Sequence, residues 1–104
     1  MIAELKPGED LQTVLNRLSK KIIVDVYAKW CGPCKMLSAE LEKFAKAHED
    51  WAILRVDSDV HSALAAAYHV HAVPTIYIVI DGEGVEQHVG YIPLSEIEQI
   101  TKKY

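Results

Sequence analysis

The only two cysteines of the chain, Cys31 and Cys34, lie in the hexapeptide WCGPCK at residues 30–35. This hexapeptide follows an apolar, β-branched run at 22–27 and precedes an apolar repeat with helical spacing. A cysteine pair between a strand and a helix brings two sulfurs within disulfide reach at a helix N-terminus, where free N–H groups and the helix dipole favour a thiolate. The placement therefore predicts thiol–disulfide exchange.

The two sulfurs are not expected to be equivalent. Cys34 shares a helix face with Leu37 and Leu41, which we expect to pack on a sheet, whereas Cys31 precedes the helix on an exposed turn. Pro33 suits the first helical turn, because the N–H that proline lacks has no helical partner there. Cys31 is therefore placed to attack a substrate disulfide, and Cys34 to resolve the mixed disulfide.

Asp25 is an acidic residue inside the apolar run that leads to the cysteines. A charged, unpaired carboxylate in such a strand would cost several kcal/mol to desolvate. We interpret Asp25 as a group of raised pKa behind the cysteines that accepts the proton of Cys34 through a water molecule. The alternative is a strand residue that is only hydrogen-bonded to a neighbouring loop.

The remaining patterns predict one α/β domain over residues 1–104, with a mixed sheet whose parallel units come first and whose hairpin comes last. Its predicted strands cover 2–5, 22–27, 51–56, 75–80 and 85–89, and its predicted helices cover 9–19, 33–48 and 60–68. The acidic segment 57–59 is expected to cap the third helix, residues 81–84 to form the hairpin turn, and Ser95 with Glu98 to form the capping box of a final helix.

Composition disfavours several classes of protein. The net charge of −4 and the absence of a basic stripe disfavour a nucleic-acid-binding protein. Residues 1–20 lack the apolar core of a signal peptide, and no apolar run reaches membrane length, so we expect a cytoplasmic protein without a membrane partner. Two cysteines in one turn do not make the disulfide framework of a small secreted domain. No feature indicates a permanent interface, which predicts a monomer.

A zinc site is the main alternative for a cysteine pair. A structural zinc ion needs four ligands, and the five histidines show no partner spacing beside a second cysteine pair. His69 and His71 alternate on a short extended segment and could share a metal ion, although such residues are more typically surface histidines. No metal ion and no cofactor are expected.

The hexapeptide at 30–35, together with residues 24–28 before it and Val73-Pro74-Thr75 far after it, closely resembles the thioredoxin family, and the resemblance covers essentially the whole chain. It implies the thioredoxin fold, a central mixed sheet of about five strands flanked by four helices. It also implies that Cys31 is the nucleophile, Cys34 the resolving thiol and Asp25 the buried proton acceptor.

The resemblance implies further that Pro74 is cis and lies beside the disulfide, where the backbone of Val73 can pair with a substrate strand. The implied docking surface consists of Trp30, Gly32, Pro33, Ala72, Val73, Pro74, Val89 and Gly90. The implied activity is reduction of protein disulfides, with a thioredoxin reductase as electron donor and clients such as ribonucleotide reductase, peroxiredoxins and methionine sulfoxide reductases.

The sequence leaves two other functions open. An oxidase or isomerase of an oxidising compartment is disfavoured by the Gly-Pro pair between the cysteines, because such relatives usually carry a histidine there. A binding module with incidental cysteines is the other alternative.

The chain also departs from the family pattern: Ile53 stands where many members carry a lysine facing the aspartate, Ala39 replaces a proline that often kinks the helix, and Tyr27 replaces a common tryptophan. Asp25 is therefore expected to lack that lysine partner, and desolvation is expected to raise its pKa further.

Overall fold

The computed structural model describes residues 1–104, which form five strands and four helices around one sheet. The strands are β1 (Ile2–Glu4), β2 (Lys21–Tyr27), β3 (Ala52–Asp57), β4 (Thr75–Ile80) and β5 (Glu83–Val89). The helices are α1 (Leu11–Leu18), α2 (Gly32–Ala47), α3 (Ser62–Ala67) and α4 (Leu94–Thr101). The sheet order is β1-β3-β2-β4-β5; the first three strands are parallel, and β4 is antiparallel to both β2 and β5. The predicted mixed sheet is confirmed.

Strand β2 lies at the centre of the sheet and is covered on both faces, as its nearly continuous apolar sequence predicts. Its even-numbered residues face a core shared with α1, whereas its odd-numbered residues face α2 and α4. The second core contains Ile23, Leu37, Leu41, Phe44, Trp51, Ile53, Ile76, Ile78, Ile92 and Ile97. Asp25 and Tyr27 therefore belong to the α2 side of the sheet.

Helices α1 and α4 differ in the residue that caps the N-terminus. Asp10 caps α1, because its carboxylate accepts a hydrogen bond from the Thr13 N–H at 3.0 Å. Helix α4 begins at Leu94 with Pro93 as its N-cap, so the predicted capping box of Ser95 and Glu98 is wrong. Pro93 has φ −74° and ψ 162°, an extended conformation that the proline ring favours and that directs the chain into the helix one residue before Ser95.

The segment before α3 also differs from its prediction. The Asp57 carboxylate accepts hydrogen bonds from the N–H groups of Asp59 and Val60, which forms a turn rather than a helix cap. Helix α3 therefore begins only at Ser62, with His61 as an N-cap that makes no side-chain hydrogen bond. None of the four helices has the length and apolar character needed to cross a membrane.

The hairpin between β4 and β5 is tighter than the four-residue turn that the sequence indicated. Only Asp81 and Gly82 lie between the strands, and both have positive φ, 50° and 83°. Two successive residues of positive φ are typical of the type I′ turn, whose twist matches that of the paired strands. Strand β5 consequently begins at Glu83 rather than at Val85.

Replacing Gly82 with alanine is expected to lower the free energy of unfolding by about 1 kcal/mol, because a side chain is disfavoured at positive φ. The added Cβ would also lie 2.7 Å from Asn16 Oδ1. Gly84→Ala is the matched control, since an added Cβ at Gly84 meets no atom within 4 Å. Urea unfolding of both variants measures the difference; equal midpoints would contradict the strain assigned to this turn.

Candidate active site

The cysteine pair lies where β2 ends and α2 begins. Cys31 is the N-cap of α2, with φ −90° and ψ 115°, and its Sγ accepts a hydrogen bond from the Cys34 N–H at 3.2 Å. The two residues form a disulfide, with their Cα atoms 5.3 Å apart. When the disulfide is reduced, the same N–H group and the dipole of a 16-residue helix favour a thiolate on Cys31.

Both sulfurs are enclosed, which corrects the expectation of an exposed Cys31. Cys31 is 5% exposed and Cys34 1% exposed, and they pack with Tyr27, Ala28 and Val73. The residues around Cys31 are nevertheless open to solvent, since Gly32 and Pro33 are exposed. Trp30 is 73% exposed, and its indole N–H donates to Asp59 at 3.0 Å.

The segment before β4 lies against the disulfide. The Val73–Pro74 peptide bond is cis, as the resemblance implied, and the Val73 carbonyl oxygen lies 3.7 Å from Cys31 Sγ. The segment is held by two hydrogen bonds, from the Thr75 hydroxyl to the Ala72 carbonyl at 2.7 Å and from the Gly90 N–H to the Pro74 carbonyl at 2.8 Å. The second bond brings the end of β5, where Val89 is 61% exposed, to the same side of the molecule.

Asp25 is fully buried, and neither of its carboxylate oxygens has a hydrogen-bond partner within the protein. Its nearest cation is Arg55, whose Nε lies 3.6 Å from Oδ2, too far for a hydrogen bond. Burial raises the pKa of Asp25 to about 6, and the positive charge of Arg55 limits that rise. Asp25 can therefore exchange a proton near neutral pH.

Arg55 corrects the expectation drawn from Ile53. In the parallel pairing of β2 with β3, Asp25 is opposite Arg55 and Ile53 is opposite Ile23 in the apolar core. Asp25 therefore has a basic partner on β3. The sequence contained a sign of this basic partner, because Arg55 is the only charged residue in the predicted strand 51–56.

A small cavity lies beside Arg55 and Cys34. Its volume is about 240 Å³, and its lining residues are Tyr27, Ala28, Lys29, Cys34, Lys35 and Arg55. Cys34 and the cationic partner of Asp25 thus face the same space. Such a cavity is large enough and polar enough to hold water.

No sequence pattern indicated the contacts that surround Arg55. The Tyr27 hydroxyl donates to Glu4 Oε2 at 2.8 Å, and the Arg55 guanidinium carbon lies 4.0 Å from the centroid of the Tyr27 ring. Burial and the hydrogen bond to Glu4 raise the pKa of Tyr27 to about 12. Tyr27 is thus both the aromatic platform of Arg55 and the hydrogen-bond donor to Glu4.

The histidine pair considered as a metal site has rings 6.5 Å apart, measured between the centroids of His69 and His71. The structure contains no group of three or more histidine, cysteine, aspartate or glutamate side chains arranged to hold a metal ion. The chemistry supported by the geometry at the start of α2 is that of its two sulfurs.

Comparison with known proteins matches the thioredoxin family model over residues 3–103. A thioredoxin from Mycoplasmoides gallisepticum is 36% identical over 84 residues, which is 81% of this chain and 84% of that protein. The mitochondrial thioredoxin of Mus musculus is 38% identical over 100 residues, and the matched region covers 95% of this chain but 60% of the mouse protein.

Solved structures show the same likeness. A mutant thioredoxin from Halobacterium salinarum superposes with a TM-score of 0.89 at 34% identity, covering 99% of this chain and 89% of that one. Oxidised mitochondrial thioredoxin 3 from Saccharomyces cerevisiae gives a TM-score of 0.87 at 29% identity, covering 99% and 95% of the two chains. A structure on thiol resolution in yeast mitochondrial 1-Cys peroxiredoxin through the glutathione and thioredoxin systems gives 0.88 at 28% identity, covering 99% of this chain and 95% of that chain.

Proposed function

Since this chain belongs to the thioredoxin family and is a thiol–disulfide oxidoreductase, we propose that it reduces disulfides of client proteins through Cys31 and Cys34. The observation that carries the proposal is the cysteine pair at the N-terminus of α2, where Cys31 Sγ already accepts the Cys34 N–H. A thiolate at this position is stabilised before any substrate binds, because the donor is part of the helix backbone.

The proposed reaction has two exchange steps. The Cys31 thiolate attacks one sulfur of the client disulfide, and the other client sulfur leaves as a thiolate and takes up a proton. Cys34, once deprotonated, attacks Cys31 Sγ, which releases the second client thiol and forms the Cys31–Cys34 disulfide. The client gains two electrons and two protons, and this protein is oxidised by two electrons.

Asp25 is the proposed acceptor of the Cys34 proton. Support comes from its unpartnered carboxylate, from its pKa of about 6, and from the cavity that Cys34 shares with Arg55. A carboxyl group with a pKa near neutrality is suited to accept and return a proton at working pH. Water in the cavity would carry the proton from Cys34 towards Arg55, whose Nε lies 3.6 Å from Asp25 Oδ2.

The proposed docking surface surrounds the enclosed Cys31. Trp30 and Val89 supply exposed apolar area, and the backbone of Val73 lies beside the sulfur, where a client strand could pair with it. Ala72, Pro74 and Gly90 hold the adjoining backbone in place, and Gly32 and Pro33 border the sulfur on the helix side. A client that seats an extended segment here would present its disulfide to Cys31.

The proposed partners are a thioredoxin reductase and clients of the ribonucleotide reductase, peroxiredoxin and methionine sulfoxide reductase types. We further propose that residues 1–104 act as one monomeric domain in a reducing compartment such as the cytoplasm. Two apolar cores packed on one sheet support the single domain, and the confinement of both cysteines to the active pair supports the reducing compartment.

A redox titration against dithiothreitol and then glutathione buffers tests the proposal, with Trp30 fluorescence and trapped free thiols as readouts. We expect one two-electron transition near −270 mV, more reducing than the glutathione-linked range. The Cys34→Ser variant should lack the transition. A midpoint near −180 mV would instead indicate an isomerase or oxidase, and the absence of a reversible disulfide would indicate a binding module.

A further inference from the structure

Arg55 lies between two carboxylates on the α2 side of the sheet. In the pairing of the three parallel strands, Glu4 of β1 is opposite Arg55, and Arg55 is opposite Asp25 of β2. Neighbouring strands are about 4.8 Å apart, so the guanidinium can turn towards either carboxylate. One of the two, Glu4, is solvent-exposed, whereas Asp25 is fully buried.

We propose that Tyr27 is a positioning residue. By donating a hydrogen bond to Glu4, it keeps Arg55 close to Asp25 and prevents Arg55 from pairing with Glu4. Its hydroxyl holds Glu4 Oε2 at 2.8 Å, and its ring holds the guanidinium carbon at 4.0 Å. Arg55 then directs Nε towards Asp25 Oδ2 at 3.6 Å rather than pairing with Glu4. Tyr27 thus binds the Glu4 carboxylate through its hydroxyl and packs against the Arg55 guanidinium through its ring.

Arginine suits this arrangement because its planar guanidinium stacks on an aromatic ring and stays protonated at all working pH values. The charge facing Asp25 is therefore constant, and only its position can vary. The other ionisable groups near this network are Glu4 on β1, Tyr27 on the same strand as Asp25, Asp57 at the end of β3, and Cys34, Lys29 and Lys35 around the cavity. Of these, only Glu4 is paired in register with Arg55.

The functional consequence rests on the proposed role of Asp25 as proton acceptor. Burial is the main cause of the raised pKa of Asp25, and the position of Arg55 determines how far its charge limits that rise. Tyr27 and Glu4 would therefore set the pH profile of client reduction without touching the client or the sulfurs. They act through Arg55 and are not catalytic residues.

The test is an NMR titration of the Asp25 carboxyl carbon in the oxidised protein, in which neither cysteine titrates. Tyr27→Phe keeps the ring but frees Glu4 to attract Arg55, so the pKa of Asp25 should rise by about half a unit. Adding Glu4→Gln should abolish that rise, because a neutral amide does not compete for the guanidinium. An unchanged Asp25 titration in Tyr27→Phe, or a rise that persists in the double variant, would overturn the proposal.

Tyr104→Phe is the matched control. Tyr104 also donates to a glutamate, Glu86 on the edge strand β5, and Lys103 lies 5.7 Å from its ring centroid. The control should leave the Asp25 titration unchanged; a rise equal to that of Tyr27→Phe would show a general effect of losing a tyrosine–glutamate bond and would also overturn the proposal.

The pH profile of client reduction is a separate readout. It should move in the same direction as the NMR titration in Tyr27→Phe. Asp25→Asn separates the two proposals, because it tests proton acceptance alone. If Asp25→Asn reduces clients at the normal rate, the acceptor role fails, whereas the NMR titration still decides the role of Tyr27.

Discussion

Replacing Cys34 with serine is expected to leave the protein covalently attached to its client. Cys31 keeps its place as the N-cap of α2 and attacks the client disulfide, but no neighbouring thiol resolves the adduct. Resolution within one molecule benefits from a very high effective concentration, so its loss should slow turnover by on the order of 10³-fold or more. Mass spectrometry of the adduct with a disulfide-containing peptide, together with turnover rates in dithiothreitol, measures both effects.

Cys31→Ser is the matched control for this prediction. It removes the sulfur that receives the Cys34 N–H and leaves Cys34, which is 1% exposed, unable to reach a client. It should form no adduct and show no turnover. Adduct formation by Cys31→Ser, with none by Cys34→Ser, would reverse the assigned roles.

Replacing Asp25 with asparagine is expected to remove a pH-dependent loss of stability. The pKa of Asp25 rises from 3.8 to about 6 on folding, so the folded protein binds this proton more tightly than the unfolded chain does. The stabilisation of the folded protein by this bound proton is complete below about pH 4 and is lost as the pH rises through about 6. A shift of this size corresponds to about 3 kcal/mol, since each pKa unit is worth about 1.4 kcal/mol.

The prediction concerns the difference in unfolding free energy between Asp25→Asn and the parent protein. In the oxidised state, that difference should grow in favour of the variant by about 3 kcal/mol between about pH 4 and about pH 8. Asp81→Asn is the control, because Asp81 is exposed and asparagine tolerates its positive φ. Parallel stability curves for Asp25→Asn and the parent protein would show that Asp25 is not destabilised by ionisation.

The sequence predicted the order of strands and helices because that order depends on local patterns. The apolar run at 22–27, the proline in the first turn of α2 and the helical repeat after it are all local, and each element formed. The errors in the elements are shifts of one or two residues at their ends. Pro93 begins α4 before Ser95 because its ring favours the extended cap conformation, and Asp57 uses its carboxylate for a turn rather than for α3.

The sequence did not predict Arg55 as the partner of Asp25, because that pairing depends on the register between β2 and β3. Ile53 and Arg55 point to the same side of β3, so a shift of two residues exchanges one for the other. The link from Tyr27 to Glu4 joins residues 23 positions apart on strands that are not neighbours, and no sequence pattern indicates it. The cysteines were identified with ease, whereas the network behind them required the three-dimensional structure.

The two edges of the sheet bear on how copies of this protein behave at high concentration. At one edge, β1 has only three residues and ends with Glu4, which leaves little backbone for another strand to join. At the other edge, β5 carries Glu83 and Glu86, and its pairing with β4 has an irregular register at Ile78 and Val79. Short, charged and irregular edges oppose strand-to-strand aggregation. The proposed pairing of a client strand with Val73, beside Cys31, is therefore not accompanied by sheet edges that favour association between copies of the protein.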